Sequence, residues 1–461
     1  MQATVESICA TTAFTNRAND FDVAIVVFAW RRLASLRRLV DSLLRAHYCG
    51  AGKYNRLSLT FLLDVGASPA VDRYVKSVEW AHGPKRIVNA PAASGPSSWF
   101  SSKLPAGRGI RGMWTDVLGR ALDEHEPPSA HVLPLEDDIE VSPLYYWWLR
   151  RAAEAYGPFG VGGGDAGKNG ATAAAAAAAE RVRRHPHLVG VSLYAPRLDE
   201  IRYPNKRLRP RDRSLAGQSP AFLFELPCSW GALFFRDVWV DFLRFYRIRE
   251  RPPFYDALEE AKQRGEREKK ETLGDAALVI TGSRASTWAR SWKRFMIDYM
   301  HGRGDVMLYP NAPVDPRARF ASLSFSTTYM ERGDHSGTDG KVEVDARDGL
   351  RNASEYDPRK TVPLLSMRHA QSALDALATM PPHDELPVIN MFHKRIRGGL
   401  VYLEAAGRAF VQAAAGAAGS THAGTQLRQA IASRGPHTGV RTPRATTAEY
   451  EALARIWLQG R

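Results

Sequence analysis

The sequence has few cysteines, no long apolar run and a deficit of acidic residues. Its three cysteines, Cys9, Cys49 and Cys228, lie far apart and match no metal-ligand spacing, so neither a zinc site nor a disulfide framework is indicated. No segment approaches the roughly 18 consecutive apolar residues of a transmembrane helix. The first 20 residues have no basic segment followed by an apolar one, as a signal peptide would. We therefore expect membrane association only if this sequence lacks an anchor.

The deficit of acidic residues indicates anionic partners. The chain carries 63 Lys and Arg against 49 Asp and Glu, which gives a net charge of +14. Nucleotide phosphates, acidic glycans, nucleic acid and membrane surfaces would all suit this charge, and the charge alone selects none of them. The 461 residues can form two or three domains, or one large α/β domain with appendages.

Strand patterns alternate with helix patterns along the first part of the chain. The apolar run Val23–Phe28 is typical of a strand buried on both faces, and residues 36–44 continue with helical spacing. The same order returns at Leu57–Leu63, which a helix pattern at 71–80 follows. Such alternation predicts an α/β fold with a Rossmann-like, mostly parallel central sheet and helices on both faces. Ligands of such folds bind beyond the carboxyl ends of the strands.

Changes in composition divide the chain into four parts. We expect a disordered N-terminus over 1–20 and one α/β domain over 21–335. A glycine-rich stretch and a polyalanine run near 157–180 have the low complexity of an insertion. Residues 336–461 have weaker patterning and Ala-rich helical stretches, which predict a partly helical C-terminal appendage.

Three consecutive carboxylates follow the apolar run 131–135. Glu136, Asp137 and Asp138 would each be costly to bury without a partner, so we expect them at the open edge of the sheet, where they hold a positive group. Carboxylate oxygens suit Mn²⁺ or Mg²⁺, and Mg²⁺ is often held by one or two carboxylates together with substrate phosphates. A solvated acidic turn is the alternative.

Asp64 also comes directly after a predicted strand. Because the carboxyl ends of parallel strands meet at one edge, we expect Asp64 and Asp138 at the ends of neighbouring strands, facing one cleft. Gly66 follows closely, so a turn-forming Asp is the alternative interpretation of Asp64.

Several segments resemble known enzymes and occur in the same order. EDDIEVSPLYYWWL is similar to the Glu-Asp-Asp motif and following helix of N-acetylglucosaminyltransferase I and its relatives, which have the GT-A glycosyltransferase fold. PCSWGALFFRDVW resembles the acceptor-side segment of these enzymes. SWKRFMIDYMHGRGDVMLYPN, followed by SLSFST, is more similar to family-2-like glycosyltransferases of plants, algae and protists. Three further segments resemble strands of the fold with their flanking residues: VAIVVFAWRRLASLRRLVDSL, FLLDVG and LVGVSLYAP.

The resemblance covers roughly residues 20–335 and implies a metal-dependent, inverting transfer of a hexosyl or N-acetylhexosaminyl group. The donor would be a nucleotide-diphosphate sugar, with a UDP-sugar favoured, and the acceptor a hydroxyl of a glycan or glycoconjugate. The resemblance also implies a Golgi or secretory-pathway location, although the membrane anchor usual for such enzymes is missing from this sequence.

The resemblance assigns roles to the four acidic residues. Asp138 would bind Mn²⁺ or Mg²⁺ directly, while Glu136 and Asp137 would contact the nucleotide sugar or metal-bound water. Asp64 would accept a hydrogen bond from the base ring. Pro134 departs from the uninterrupted apolar run of the relatives, so we expect this strand to kink or to lie at an edge of the sheet.

An inverting transfer needs a carboxylate within hydrogen-bond reach of the acceptor hydroxyl. We predict Asp298 for this role, because it is the only acidic residue in the aromatic, basic block from Trp288 to Arg303. A salt bridge from Asp298 to Arg294, one helical turn earlier, is the alternative. Asp275 is the reserve candidate for the base.

Four other residues are candidates for the substrate site. Arg111 begins a helix pattern after a Gly/Ser-rich loop and would balance diphosphate charge, unless it is a surface charge. His335 would cap the site or complete the metal shell, as a C-terminal His does in some GT-A enzymes, or would lie on the surface. Trp230 and Gly231 suggest an acceptor platform, because an aromatic face stacks on a sugar ring and Gly leaves backbone room. Trp230 would otherwise belong to the core.

Three other functions compete with the transferase. A basic nucleic-acid-binding protein would explain the net charge and segments such as WARSWKRF, but it leaves the carboxylates unexplained, so we expect no nucleic acid partner. A catalytically inactive carbohydrate-binding protein with the same fold would bind glycan without Mn²⁺. A glycoside hydrolase fits poorly, because adjacent carboxylates on one strand do not flank a bond at separations of about 5–9.5 Å.

Overall fold

The computed structural model describes residues 21–48, 57–91, 109–123, 131–157, 187–196, 198–201, 206–207, 219–249, 285, 291–313, 322–328 and 380–417. Several of the expectations concern residues outside these ranges. They concern the N-terminus 1–20, the insertion beyond residue 157, Asp275, His335, and the parts of 336–461 other than 380–417.

Strands and helices alternate along the described residues. The strands are β1 (Val23–Ala29), β2 (Leu57–Leu63), β3 (Lys85–Asn89), β4 (His131–Glu136), β5 (Ile139–Val141), β6 (Leu188–Ser192), β7 (Leu198–Asp199), β8 (Lys206–Arg207), β9 (Ala221–Phe224), β10 (Ala232–Phe234), β11 (Val306–Pro310), β12 (Ala312–Pro313), β13 (Ser322–Leu323), β14 (Ser326–Thr328) and β15 (Val388–Ile389). The helices are α1 (Leu33–Leu44), α2 (Pro69–Ser77), α3 (Gly109–Gly112), α4 (Leu118–Asp123), α5 (Tyr145–Tyr156), α6 (Arg236–Arg249), α7 (Lys293–Arg303) and α8 (Gly399–Ala417). A π-helical turn, Met113–Val117, joins α3 to α4. None of the helices within these residues is long and apolar enough to span a membrane.

Nine strands form the central sheet, in the order β15-β9-β11-β6-β10-β4-β1-β2-β3. Neighbours are parallel throughout β4-β1-β2-β3 and in the β6–β11 and β9–β15 pairs. β10 lies antiparallel between β4 and β6, and β9 is antiparallel to β11. The predicted α/β fold, with a large and mostly parallel central sheet flanked by helices, is therefore confirmed.

The middle of the sheet is buried on both faces, as the apolar runs predict. All seven residues of β1 and all seven of β2 are buried. Leu36, Leu39 and Leu43 of α1 pack into the same core. Ser68 begins α2 by accepting a hydrogen bond from the Val71 amide at 3.2 Å, which satisfies an amide that the helix leaves open. This packing holds the ends of β1 and β2 in place, and with them the residues that directly follow these strands.

Pro134 does not place its strand at an edge of the sheet, so that alternative is wrong, and the kink stays a prediction. β4 lies inside the sheet, between β1 and β10, and Pro134 pairs with Val26 of β1. β10 pairs with β4 only at Val132, through Phe234. The β10–β4 pairing therefore ends before Pro134, so β10 needs no backbone hydrogen bond from this residue. A proline is tolerable inside the sheet for that reason.

The helix after the carboxylates begins later than its sequence suggests. Ser142 and Pro143 have the pattern of an N-cap and a first helical residue, but α5 begins at Tyr145 and its N-cap is Leu144. Ser142 instead closes a turn, because its Oγ accepts from the Leu144 amide at 3.2 Å and its carbonyl from the Tyr145 amide at 3.0 Å.

Part of the predicted C-terminal appendage belongs to the central sheet. β15 pairs in parallel with β9, and Glu225, just after β9, accepts from the Met391 amide at 2.9 Å. The other oxygen of Glu225 lies 2.5 Å from His301 Nδ1 in α7. α8 packs against α7, where a Cβ at Gly407 would collide with the His301 carbonyl. The Ala-rich composition does not reveal this integration.

A buried charge cluster also holds α8 in place. His187 contacts Glu404 of α8 (Nε2–Oε1 2.5 Å) and Asp305 (Nδ1–Oδ1 3.4 Å). Arg303 donates to Asp305 at 2.9 Å, and Arg408 lies 3.4 Å from Glu404. Burial alone would lower the pKa of His187, but the two carboxylates outweigh burial and raise the pKa to about 9.

We expect the free energy of unfolding to fall as the pH rises through about 9. Below about pH 6.5 His187 is protonated in the folded and unfolded chain, so its stabilisation is complete, and it is lost as the folded chain releases the proton. The slope contributed by one group is at most about 1.4 kcal/mol per pH unit. Urea unfolding across this range should show the slope in the wild type but not in His187→Gln. His383→Gln, at a more exposed histidine elsewhere in the chain, is the control, and an unchanged slope in His187→Gln would contradict the expectation.

Candidate nucleotide and metal site

The carboxyl edge of the β4-β1-β2 strands holds the candidate site. Asp64 directly follows β2, and Asp138 lies two residues beyond β4. Pairing with β1 ends at Leu63 on one side and at Glu136 on the other, so both aspartates lie just past the same edge. The expectation of neighbouring strands needs a correction, because β1 lies between them. Two strand spacings of about 4.8 Å each separate the two strands.

Arg32 lies at the centre of this edge, three residues after β1. Its Nε donates to Oδ2 of Asp137 at 3.2 Å, and its Nη2 contacts the other oxygen of Asp137. Nη1 lies 3.5 Å from Oδ2 of Asp138. The Asp137 side chain is 7% exposed, whereas the Asp138 side chain is 20% exposed. Arg32 therefore neutralises Asp137 and leaves Asp138 as the more accessible carboxylate.

Glu136 has a different electrostatic environment from the two aspartates. Its Oε1 accepts a hydrogen bond from Trp114 Nε1 at 3.1 Å. Burial, reinforced by the Asp138 carboxylate, raises the pKa of Glu136 to about 8, although Arg32 opposes the rise. At neutral pH Glu136 is mostly protonated, and Arg32 balances one of the two aspartates.

Asp64 is held by two backbone amides. Its Oδ1 accepts from the Val65 amide at 2.7 Å, and its Oδ2 accepts from the Gly109 amide at 3.2 Å. The second bond brings the start of α3, which contains Arg111, to the same edge. Gly66 has φ +77°, so Asp64 does take part in a turn. Contacts of Asp64 and Arg111 with a nucleotide stay predictions.

An aromatic and a basic side chain lie next to Asp64. Trp30 Nε1 donates to the Val65 carbonyl at 3.1 Å. The Arg31 guanidinium lies 4.3 Å from the centroid of the Trp30 ring, and its Nε donates to the Gly66 carbonyl at 3.3 Å. A cation stacked on a partly exposed aromatic ring, beside a carboxylate, is a surface on which a flat heterocycle can stack and hydrogen-bond.

Trp230 and Gly231 lie at the carboxyl edge too, because they precede β10, which runs opposite to β4. The partly exposed Trp230 ring meets Tyr194 edge-on at 4.8 Å, and Lys293 Nζ lies 5.3 Å from its centroid. Gly231 has φ +92°, and Ser326 fills the space that a Cβ would take. Gly231 thus serves the local turn and packing. The acceptor role of both residues stays a prediction.

Stacked aromatic rings join the carboxylate cluster to this acceptor side. Trp114, the partner of Glu136, stacks on Trp292 with ring centroids 4.0 Å apart and planes 16° apart. Lys293 follows Trp292 and lies 2.6 Å from Glu200. These contacts, together with the peptide bond between Trp292 and Lys293, connect the two halves of the edge.

Asp298 lies in the middle of α7 and is 2% exposed. Arg294, one turn earlier, is 3% exposed, and every residue from Lys293 to Gly302 is buried. The structure does not bring Asp298 to the exposed part of the carboxyl edge. Its role as the base stays a prediction.

Arg32, Trp114, Glu200 and Lys293 were not identified from the sequence. Arg32 had a usable signal, because polar residues just past a buried strand lie at the ligand edge of such a sheet, as Asp64 does. The other three had no signal of this kind, since their partners are far away in the chain: Lys293 and Glu200 are 93 residues apart.

The described residues contain no group of three or more His, Cys, Asp and Glu side chains arranged to hold a metal ion. Asp138 is therefore a single accessible carboxylate with Glu136 beside it. Mg²⁺ and Mn²⁺ in nucleotide sites need no all-protein cage, because phosphate oxygens and water complete their coordination. The donor set present fits a metal that arrives with a phosphate ligand.

Comparisons with known proteins find a likeness among solved structures. No family model matches the sequence, and no curated protein matches it. Among solved structures, the chain is similar to the mannosyltransferase PcManGT from Pyrobaculum calidifontis in complex with GDP-Man and Mn²⁺. The two share 13% identity over 95% of this chain and 87% of that chain, with a TM-score of 0.30. A likeness at this level assigns neither a family nor a substrate.

Proposed function

We propose that this protein is a metal-dependent, inverting glycosyltransferase. It moves a hexosyl or N-acetylhexosaminyl group from a nucleotide-diphosphate sugar to a hydroxyl of a glycan or glycoconjugate. The observation that carries the proposal is the carboxyl edge, where Asp64 and Asp138 flank β1 and Arg32 lies between them. Nucleotide, diphosphate and sugar then follow one another along this edge.

The nucleoside binds on the β1–β2 side of the edge. Trp30 and Arg31 offer a stacking surface, and Asp64 offers acceptor oxygens for the N–H groups of a base. The hydrogen bonds from the Val65 and Gly109 amides hold the Asp64 carboxylate in one orientation before the ligand arrives. A prepared acceptor of this kind costs less entropy on binding than a mobile one.

The diphosphate and the metal bind on the β4 side. Asp138 would hold Mn²⁺ or Mg²⁺ together with phosphate oxygens, and Glu136 lies next to it. The metal, when bound, supplies positive charge that stabilises the departing diphosphate. Arg32 keeps Asp137 in place, and Arg111 adds positive charge from α3. These roles fit the difference in side-chain exposure between Asp137 and Asp138.

The acceptor binds beyond the sugar, on the side of Trp230. An aromatic face that is partly exposed suits the apolar face of a sugar ring. Trp230 is fixed by Tyr194 and by the Ser326 hydroxyl, which donates to its carbonyl at 2.6 Å. The acceptor would therefore meet a rigid surface.

Calorimetric titration with UDP, GDP and ADP, each with and without Mn²⁺, tests the donor half of the proposal. We expect one of them, with UDP tested first, to bind and to lose most of its affinity when the metal is chelated. Glycan binding without nucleotide affinity would instead favour an inactive carbohydrate-binding protein. Salt-dependent binding to nucleic acid alone would favour the nucleic-acid-binding alternative.

A further inference from the structure

Glu200 and Lys293 form an ion pair that the donor side of the proposed site does not use. Lys293 Nζ lies 2.6 Å from Glu200 Oε2. The Lys293 side chain is 7% exposed, and that of Glu200 is 19% exposed. A nearly buried ammonium group needs a partner, and Glu200 supplies it. The carboxylate itself stays open to a ligand.

The pair lies at the same edge of the sheet as the carboxylate cluster. β6 runs in the direction of β4, since both are antiparallel to β10, and Glu200 lies eight residues beyond the carboxyl end of β6, directly after β7. Lys293 Nζ lies 5.3 Å from the Trp230 ring centroid, and Tyr194 closes another side of that ring. The pair therefore borders the predicted acceptor platform.

Only one oxygen of Glu200 is engaged by the lysine. Among the described residues, Lys293 is the hydrogen-bond partner of Glu200, and it contacts Oε2. Within the part of the chain that the structure describes, no hydrogen bond engages Oε1, and the lysine that holds Oε2 lies 5.3 Å from the centroid of the Trp230 ring. A carboxylate that is fixed at one oxygen and accessible at the other has the geometry that a general base needs.

We propose that Glu200 is the general base of the transfer and that Lys293 positions it. The inference rests on the proposed function and names the group that completes its acceptor side. As the acceptor oxygen bonds to the anomeric carbon, the bond from that carbon to the diphosphate oxygen breaks, and its electron pair leaves with the nucleoside diphosphate. The acceptor proton passes to Oε1 of Glu200, and solvent takes it after the product leaves.

Asp298 is less well placed for this role than Glu200. It is 2% exposed, inside a helix whose residues from Lys293 to Gly302 are buried, and a base must come within hydrogen-bond distance of the acceptor. Glu200 lies at the edge that the acceptor would approach. Both side chains are carboxylates that could act as a base, so a comparison of kcat between their amide variants can separate them.

Hydrolysis of nucleotide sugars, with water as the acceptor, tests the inference without a known acceptor. The probes are UDP- and GDP-sugars with Mn²⁺. Glu200→Gln should lower kcat roughly 10²–10⁴-fold and leave the affinity for the nucleoside diphosphate nearly unchanged. Asp298→Asn should lower kcat far less, and Glu385→Gln, an exposed glutamate far along the chain, is the matched control.

Lys293 needs a separate measurement, because its removal can also disturb the fold. Lys293→Met should lower kcat with little change in nucleotide affinity, and Lys293→Arg should restore most of the rate by keeping the charge. The conservative variant distinguishes positioning from packing, since the longer arginine can still reach Glu200.

Three results would overturn the inference. Near-normal kcat in Glu200→Gln together with a large loss in Asp298→Asn would assign the base to Asp298. Parallel losses of kcat, nucleotide affinity and melting temperature in Glu200→Gln and Lys293→Met would make the pair structural. A wild-type chain that neither binds a nucleoside diphosphate nor hydrolyses any probe would refute the proposed function itself, and this result is seen before any variant is made.

Discussion

Asp138→Asn should abolish the metal-dependent part of nucleoside diphosphate binding. The substitution removes one charge and one metal ligand from an accessible position at the end of a strand, so the fold should stay intact. Loss of the contacts that merely support a metal ligand costs 10–100-fold in affinity, so loss of the ligand should cost roughly 100-fold or more. Calorimetry with UDP in the presence and absence of Mn²⁺ measures the effect.

Asp72→Asn is the matched control for this experiment. Asp72 lies on the exposed face of α2, where it binds Lys76 at 2.7 Å, so its replacement should leave UDP binding unchanged. Without Mn²⁺, the Asp138 variant and the wild type should bind UDP alike. Undiminished Mn²⁺-dependent affinity in Asp138→Asn would remove Asp138 from the metal site.

Arg32→Met should destabilise the protein by about 3 kcal/mol, the lower end of the range for breaking a buried ion pair. The lower end applies because 23% of the Arg32 side chain is exposed, whereas Asp137 is 5% exposed and would lose its bidentate partner. Urea unfolding of the variant measures the change. Asp137→Asn combined with Arg32→Met should recover part of the loss, because the neutral amide removes the buried charge.

Arg31→Met gives a control of identical chemistry at the adjacent position. Arg31 is exposed and contacts the Trp30 ring and the Gly66 carbonyl, so its loss should change the free energy of unfolding by well under 1 kcal/mol. Equal effects of the two substitutions would show that the Arg32–Asp137 pair contributes no special stability. A double variant no more stable than Arg32→Met alone would point to the lost side chain rather than the uncompensated charge.

The strands beneath the site could be predicted because their signal is local. β1 and β2 are uninterrupted apolar runs, and each is buried throughout. Where such a run ends in an acidic residue, as β2 does at Asp64, the acid is expected at an edge of the sheet, since burial of its charge would be costly. The position of a strand and the acidic residue at its end can thus be predicted from the same few consecutive residues.

Strand order and the C-terminal pairing were not predictable in the same way. β1 lies between the strands that carry Asp64 and Asp138, and β4 with its proline lies inside the sheet. The bond from the Met391 amide to Glu225 joins residues 166 positions apart. Neighbours at such separations are chosen by how elements pack, and no window of sequence contains both members.

By itself, the sequence determined the α/β alternation and the positions at which carboxylates end strands, because hydrophobic periodicity is a property of consecutive residues. Only the tertiary structure decided what each carboxylate does. Arg32, 105 residues away, neutralises Asp137. Burial and the nearby Asp138 carboxylate raise the pKa of Glu136 to about 8, and the Asp138 side chain stays 20% exposed. Charge and proton affinity depend on burial and on nearby charges, and the folded sheet sets both by bringing distant side chains together.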